Sequence, residues 1–126
     1  DELCGAVDLL SLHLPLSPQT QGIIGSRQLD LLGPEAVLIN SARGGLVHEE
    51  ELAKALEDGR LAGAALDCYV AEPAILPALL NAPNVVLLPH IASATHETRR
   101  EMAILAVTGV LQVLAGRRPS NLFPSP

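Results

Sequence analysis

The sequence predicts an α/β fold in which helices flank a parallel sheet. Short apolar runs alternate with segments of amphipathic helical pattern, which is the order expected of strand–helix–strand units with right-handed crossovers. The apolar residues are mostly Leu, Val, Ile and Ala, with one Tyr, one Phe and no Trp. Such small, branched interiors suit parallel strands that are covered by helices on both faces. At 126 residues, the chain is long enough for one domain with a buried core.

Two strands and two helices are predicted in the first half of the chain. They occupy residues 6–14 (strand), 26–32 (helix), 37–39 (strand) and 48–58 (helix). Pro15 ends the first apolar run, and Ser26 is a suitable N-cap for the first helix. The second helix has acidic residues in its first turn, Leu52 and Leu56 on one face, and Gly59 at its end.

Two more strands and a long helix are predicted in the second half. The expected elements are a strand at 62–66, a short helical turn within 74–82, a strand at 85–88, a helix from Thr95 or His96 to Leu114, and an irregular tail at 119–126. Met102, Leu105, Val110 and Leu114 supply much of an apolar stripe on the long helix.

Charge and composition disfavour several classes of function. The formal net charge is −6 and Lys and Arg form no cluster, which disfavours a nucleic acid or an anionic membrane surface as partner. No apolar run approaches the roughly 18 residues of a membrane span, and the first residues lack a signal-peptide pattern, so we expect a soluble, cytoplasmic protein. Cys4 and Cys68 are expected to be buried, reduced thiols, and no metal site is expected.

The stretch VLINSARGGLV carries one arginine, Arg43, at the carboxyl end of a predicted strand. Ligands of α/β sheets bind at this edge, and a guanidinium group can hold a carboxylate through two parallel hydrogen bonds. The neighbouring glycines are expected to let backbone and ligand approach closely. Glu72 and His90 follow the next two predicted strands, so we expect all three side chains at one rim of the sheet. The alternative is an ordinary surface arginine on a turn.

A guanidinium, a carboxylate and an imidazole at one crevice fit the reduction of a 2-oxo acid. Arg43 would hold the substrate carboxylate, His90 would give the carbonyl oxygen a proton, and Glu72 would orient His90. Side chains cannot supply the hydride, so a nicotinamide cofactor is implied.

Three segments resemble, in their order and spacing, the signatures of one family. LINSARGGLV, LDCYVAEP and LLPHIASAT are similar to those of the D-isomer-specific 2-hydroxyacid dehydrogenases, and SLHLPLSPQT resembles the family's HxPLT segment. Within the family, PHIASATHETR and the loops of small residues look closest to glyoxylate/hydroxypyruvate reductases. The resemblance implies an oxidoreductase that uses NAD or NADP to reduce glyoxylate, hydroxypyruvate or a similar small 2-oxo acid. The substrate stays open, because other members of the family act on phosphoglycerate, lactate or formate.

The resemblance also implies roles for individual residues. Arg43, Glu72 and His90 match the catalytic residues of the family, and Arg43, His90 and Ser93 are expected to contact the substrate. Asp67 matches an acid that contacts the nicotinamide carboxamide, although it could simply end a strand. The residues implied in cofactor binding are Leu14, Pro15, Thr20, Ser41, Ala42, Asp67 and Ala92.

The resemblance implies a domain organisation as well. Residues 1–94 are similar to the second half of a Rossmann-like NAD(P)-binding domain, and 95–126 to a closing helix and tail that pack toward a substrate domain. The chain lacks the GxGxxG loop of the family and begins without Met, so we expect a C-terminal fragment of an enzyme that usually forms a homodimer. Two alternatives stay open: a nucleotide-sensing, co-repressor-like binding module, and an inactive fragment of a dehydrogenase.

Overall fold

The computed structural model describes residues 1–122 and divides the chain into two compact units, Asp1–Ile91 and Ala92–Pro126. The strands of the first unit are β1 (Leu9–Leu12), β2 (Val37–Asn40), β3 (Gly63–Leu66) and β4 (Val85–Leu87). Its helices are α1 (Ser26–Leu32), α2 (Glu49–Glu57) and α3 (Pro77–Asn81). The strands lie in the order β1-β2-β3-β4, each parallel to its neighbours. The predicted α/β fold, a parallel sheet with flanking helices, is confirmed.

The register of the strands aligns their carboxyl ends. Leu12 pairs with Asn40, Asn40 pairs with Leu66, and Leu66 pairs with Leu87. The segments that follow these four residues therefore leave the sheet at the same rim. This is the edge at which open α/β sheets bind their ligands.

One face of the sheet is well buried by the described residues of the first unit. Leu10, Leu38 and Leu66 are at most 8% exposed and belong to one apolar cluster with the buried residues of α1, α2 and α3. On the other face, Leu9 and Val86 are each 57% exposed. Within residues 1–91, the buried apolar residues of the three helices belong to this one cluster, and the face that carries Leu9 and Val86 stays open.

The first strand and the first helix differ from the prediction at their ends. β1 is shorter than the predicted strand at 6–14 because its partner β2 offers only four residues for pairing, and residues Cys4–Ala6 form a 3-10 turn. Ser26 is the first residue of α1 and not its N-cap, so that prediction is wrong. Gly25 is the N-cap, and its N–H donates to Gln28 Oε1 at 3.2 Å. The other elements lie inside the predicted ranges or extend one residue beyond them.

The second unit contains the long helix α4 (His96–Leu114). Thr95 is its N-cap, and Thr95 Oγ1 accepts a hydrogen bond from Thr98 N at 3.1 Å. No residue of α4 is buried, and the predicted apolar stripe is exposed, from 54% at Leu105 to 78% at Leu114. The last four residues of the predicted tail, 123–126, lie outside the described residues. Within residues 1–122, no helix has both the length and the hydropathy needed to cross a membrane.

Candidate active site

A buried asparagine holds the loop that follows β2. Asn40 is 1% exposed, its Oδ1 accepts a hydrogen bond from Ala42 N at 3.2 Å, and its Nδ2 donates to Arg43 O at 2.9 Å. The side chain thus forms hydrogen bonds with backbone groups that lie beyond the end of the strand, as Asn side chains do in tight turns. Arg43 is therefore fixed at its backbone, at the carboxyl end of β2.

Gly44 brings this loop against the loop that follows β3. A Cβ atom at Gly44 would lie 2.5 Å from Tyr69 Cα and closer still to the Tyr69 carbonyl group. From the sequence, we expect the glycines of this loop to let a ligand approach the backbone. Gly44 lines the first of the cavities described below, and the close approach that it permits within the protein is to the backbone of Tyr69.

The guanidinium group of Arg43 is exposed and keeps most of its donors available. Arg43 Nη1 donates to Ala42 O at 2.6 Å, and Arg43 forms no ion pair within residues 1–122. A guanidinium group has five N–H donors in a planar fork that matches a carboxylate. The side chain can therefore bind an anionic group.

The loop after β3 carries Asp67, Tyr69 and Glu72 toward the end of β4. Asp67 is 4% exposed, and its Oδ1 accepts a hydrogen bond from Ile91 N at 2.7 Å. Tyr69 N donates to Glu72 Oε1 at 2.9 Å. The first bond joins this loop to the residue after His90, and the second holds Glu72 within the loop.

The side chains of Glu72 and His90 pair directly at the rim of the sheet. His90 Nδ1 lies 2.8 Å from Glu72 Oε2 and 3.0 Å from Oε1. The hydrogen bond from His90, and then that from Tyr69 N, lowers the pKa of Glu72 below its usual value of 4.5. A carboxylate at Nδ1 assigns the proton of the ring to that nitrogen and leaves Nε2 for other partners. The expected contact between the two side chains is present.

The backbone of His90 has a φ of +56°, in the left-handed region. Non-glycine residues in this region cost about 1–3 kcal/mol each and persist where the surrounding structure holds them. Such residues cluster at functional sites.

Two neighbouring cavities lie at the rim of the sheet. The first, of about 560 Å³, is lined by Arg43, Glu72 and His90 together with Leu16, Gln21, Gly44, Gly45, Tyr69 and Val70. The second, of about 690 Å³, is lined by His13, Leu14, Pro15, Leu16, Ser41, Ala42 and Arg43. Because Leu16 and Arg43 line both, the two cavities adjoin.

Most of the predicted site residues line these cavities, and some do not. Thr20 lines neither: its hydroxyl donates to Pro15 O at 2.7 Å and accepts from Ser17 N at 2.8 Å, so it shapes the loop that follows β1. Asp67 lines neither cavity; it is buried, and its Oδ1 accepts a hydrogen bond from Ile91 N. Ala92 and Ser93 belong to the second unit, and their expected roles stay predictions.

Sequence reasoning expects Tyr69 to pack or to line the cleft, and it does line the first cavity, but its hydrogen bonds were missed, as were Asn40 and Leu16. Asn40 holds the Arg43 backbone, Tyr69 bonds to the segment before His90, and Leu16 separates the two cavities. A polar residue directly after a buried apolar run was a signal for Asn40. Tyr69 gave a weaker signal as the single tyrosine of the chain, between Asp67 and Glu72.

Both cysteines are buried and free, as predicted. Burial raises the pKa of Cys68 to about 11, and its Sγ lies 3.6 Å from Asn40 O, so the thiol stays protonated at neutral pH. The described residues contain no group of three or more His, Cys, Asp or Glu side chains that could hold a metal ion.

The residues of the second cavity fit the nicotinamide end of a dinucleotide. Leu14 and Pro15 are contributed by the loop after β1, and Ser41 and Ala42 by the loop after β2. Four of the seven residues that line this cavity are apolar, which suits one face of a flat ring, and Arg43 connects it to the cavity that contains His90. The two cavities could therefore hold a cofactor and a small anionic substrate side by side.

Comparison with known proteins agrees with this arrangement. A glyoxylate/hydroxypyruvate reductase B of Pectobacterium carotovorum subsp. carotovorum (strain PC1) is 46% identical over 122 residues, which cover 96% of the chain and 38% of that protein. A crystal structure of an NADPH-dependent glyoxylate/hydroxypyruvate reductase from Sinorhizobium meliloti, in complex with NADP and malonate, matches with a TM-score of 0.85 and 42% identity. That match covers 88% of the chain and 35% of the solved one.

A third match is the NAD complexed form of a D-isomer specific 2-hydroxyacid dehydrogenase from Lactobacillus delbrueckii ssp. bulgaricus. Its TM-score is 0.84 at 35% identity, covering 98% of the chain and 41% of the solved one. The chain thus spans between 35% and 41% of the length of these three proteins.

The family resemblance noted in the sequence is also found by a family model. The model of the D-isomer specific 2-hydroxyacid dehydrogenase NAD binding domain matches residues 1–92, which include Arg43, Glu72 and His90. This match covers most of the chain and all four strands of the sheet. The chain therefore belongs to the D-isomer specific 2-hydroxyacid dehydrogenase family.

Proposed function

We propose that the full-length protein containing this chain is an NAD(P)H-dependent reductase of a small 2-oxo acid, with glyoxylate or hydroxypyruvate as substrate. The observation that carries the proposal is that Arg43, Glu72 and His90 line one cavity, with His90 Nδ1 2.8 Å from Glu72 Oε2. The names of the relatives from Pectobacterium and Sinorhizobium support the choice of substrate.

Each of the three side chains has a distinct part in the proposed reaction. Arg43 binds the substrate carboxylate through its planar fork and draws electron density from the adjacent carbonyl. His90 gives a proton from Nε2 to the carbonyl oxygen as that oxygen becomes a hydroxyl group. Glu72 accepts from Nδ1, which orients the ring and favours its protonated form. The hydride for the carbonyl carbon comes from NADH or NADPH when either is bound.

The cofactor is proposed to occupy the cavity between the loops that follow β1 and β2. Leu14, Pro15, Ser41 and Ala42 line it, while Thr20 holds the first of these loops in shape. We assign Asp67 and Ala92 to the nicotinamide and Ser93 to the substrate, by resemblance to the family. Relatives have been solved with NADP and with NAD, so either dinucleotide remains a candidate.

We further propose that residues 1–94 form part of the cofactor domain and that 95–126 pack toward a substrate domain of a longer protein. The exposed apolar residues of α4 and the length of the relatives support this organisation. The free thiols of Cys4 and Cys68 fit a cytoplasmic location, where thiols stay reduced. A homodimer is expected by resemblance to the family. Analytical ultracentrifugation of the full-length protein would test this, because a homodimer sediments with twice the mass of one chain.

Steady-state kinetics of the full-length protein tests the proposed activity. We expect NADH or NADPH oxidation with glyoxylate or hydroxypyruvate. His90→Gln should lower kcat by about 10²–10⁴-fold, because it removes the general acid. Arg43→Ala should mainly raise the KM of the 2-oxo acid, by about 10–100-fold, because a charge-assisted pair is lost.

A matched control is Arg27→Ala, which removes an exposed arginine that pairs with Asp1 outside the site. This variant should keep the kinetics of the wild type. Wild-type kinetics in both site variants would contradict the assignment, as would dinucleotide binding without turnover of any 2-oxo acid.

A further inference from the structure

We propose that Tyr69 is a positioning residue, whose hydroxyl holds the segment that carries His90 by donating a hydrogen bond to the carbonyl oxygen of Leu88. This inference rests on the proposed function, because it assigns a purpose to the position of His90. It assigns to Tyr69 an action on His90 and not on the reacting atoms of the substrate. Its effect passes through the backbone of the loop that follows β4.

The hydrogen bond of the Tyr69 hydroxyl has a clear direction. Tyr69 is 6% exposed, and its oxygen lies 2.8 Å from Leu88 O and 3.2 Å from Leu66 O. A phenol has one proton to donate, and Leu66 O already accepts from Leu88 N at 2.9 Å. The proton is therefore directed to Leu88 O. Burial raises the pKa of Tyr69, so the hydroxyl remains a donor at neutral pH.

The segment from Leu88 to Ile91 needs such support. β4 ends at Leu87, and Pro89 has no N–H with which to continue the ladder. The left-handed backbone of His90 is also a strained conformation that its surroundings must hold. Three contacts from the loop after β3 supply this support: Tyr69 to Leu88 O, Glu72 to His90, and Asp67 to Ile91 N.

Tyr69 differs from the other two supports because it acts on both members of the Glu72–His90 pair. Its backbone N–H donates to Glu72 Oε1 at 2.9 Å, while its hydroxyl holds the chain two residues before His90. One residue thus sets the position of the carboxylate and that of the imidazole. Removing the hydroxyl alone would leave Glu72 in place and release the side of the pair that bears His90.

The test is Tyr69→Phe in the full-length protein, which keeps the buried ring and removes only the donor. We expect kcat to fall by about five- to tenfold, because His90 spends part of its time outside its reacting geometry. The KM of the 2-oxo acid should change by less than about twofold, since Arg43 is untouched. The acid limb of the pH profile should move to higher pH, because a weaker bond to His90 lets the pKa of Glu72 rise toward 4.5.

A rescue experiment distinguishes a hydroxyl that acts as a hydrogen-bond donor from an aromatic ring that only fills space. Incorporation of 4-aminophenylalanine at position 69 restores an N–H donor at the same place, so kcat and the acid limb should return toward the wild type. Leu29→Val is the matched control: Leu29 is fully buried in α1, so its truncation lowers stability without contact to His90. It should leave the kcat and the pH profile unchanged.

The outcomes distinguish this inference from the proposed function. A wild-type protein that reduces no 2-oxo acid would overturn both. An active wild type with unchanged kcat and pH profile in Tyr69→Phe would overturn the role of Tyr69 alone. A loss that 4-aminophenylalanine fails to restore would also overturn it, since the hydroxyl would then not act as a donor. If Tyr69→Phe does not fold, the variant with 4-aminophenylalanine is compared with the wild type. A folded variant with the kcat and pH profile of the wild type supports the role of a donor at this position, and a folded variant with a reduced kcat overturns it.

Discussion

His90 has two ring nitrogens, and its contact with Glu72 decides which of them can serve a reaction. Nδ1 forms a hydrogen bond with Glu72 Oε2 at 2.8 Å, so Nε2 is the nitrogen that can contact a substrate. The carboxylate is itself held by Tyr69 N, and the His90 backbone is held on both sides. The orientation of the imidazole is therefore set by several bonds and not by its own rotamer alone.

The ionisation of Glu72 predicts how kcat/KM depends on pH. Its pKa lies below 4.5, first because His90 donates to it and then because Tyr69 N does. A lowered pKa means that the pairing is present above the usual carboxyl range and is lost as the pH falls through the lowered value. The fall of the wild-type kcat/KM that belongs to Glu72 should therefore be centred below pH 4.5.

Glu72→Gln removes this ionisation. Its kcat/KM should be lower throughout and should lack the acid limb of Glu72 when measured over about pH 3.5–6. Glu57→Gln, at an exposed position in α2, is the control and should keep the wild-type profile. An unchanged profile in Glu72→Gln would remove Glu72 from the mechanism.

The loops at the ends of the strands depend on one another for their shape. Asn40 organises the loop after β2, and Gly44 allows this loop to touch the backbone of Tyr69 in the loop after β3. Tyr69 then bonds to the segment after β4. The three strand ends are thus joined by direct contacts across the rim of the sheet, which places their side chains around one cavity.

Gly44→Ala tests this coupling between loops. The added Cβ would overlap the Tyr69 backbone, which cannot yield as a flexible side chain can, so we expect a loss of about 2 kcal/mol or more in the free energy of unfolding. Reductase activity should fall with it. Gly5→Ala is the matched control, because nothing lies within 4 Å of its added Cβ, and its free energy should change by less than about 0.5 kcal/mol. Urea unfolding of both variants measures the difference, and equal stabilities would contradict the account.

The elements that could be predicted from sequence are those whose signals are local. α2 has acids in its first turn and apolar residues four apart, and its ends were predicted to within one residue. β1 was predicted too long, because the length of a strand depends on its partner and not on its own apolar run. The N-cap of α1 was misplaced by one residue, since Gly25 and Gln28 share the contact that Ser26 was expected to make.

The site could be predicted in its chemistry but not in its supports. Arg43, Glu72 and His90 stood out because each follows an apolar run, and parallel topology brings such positions together. The bonds of Asn40 and Tyr69 could not be predicted, because they connect segments whose separation depends on the whole sheet. A hydrogen bond to a carbonyl group 19 residues away leaves no local pattern in the sequence.

At the scale of the whole molecule, much apolar surface remains exposed. Leu9 and Val86 lie on the open face of the sheet, and the apolar residues of α4 are all exposed within the part of the chain that the structure describes. The chain spans 38% of its Pectobacterium relative. These surfaces fit the proposal that further segments of a longer protein cover them.

Glu72 is proposed to act through His90 at a shared cavity. A double-mutant cycle on kcat in the full-length protein tests it most directly, with Glu72→Gln, His90→Gln and the double variant. We predict that Glu72→Gln alone lowers kcat by about tenfold or more, but lowers it no further once His90 is replaced, because residues that act as a unit are not additive. Losses that multiply in the double variant would show that the two side chains act independently, and they would contradict the account.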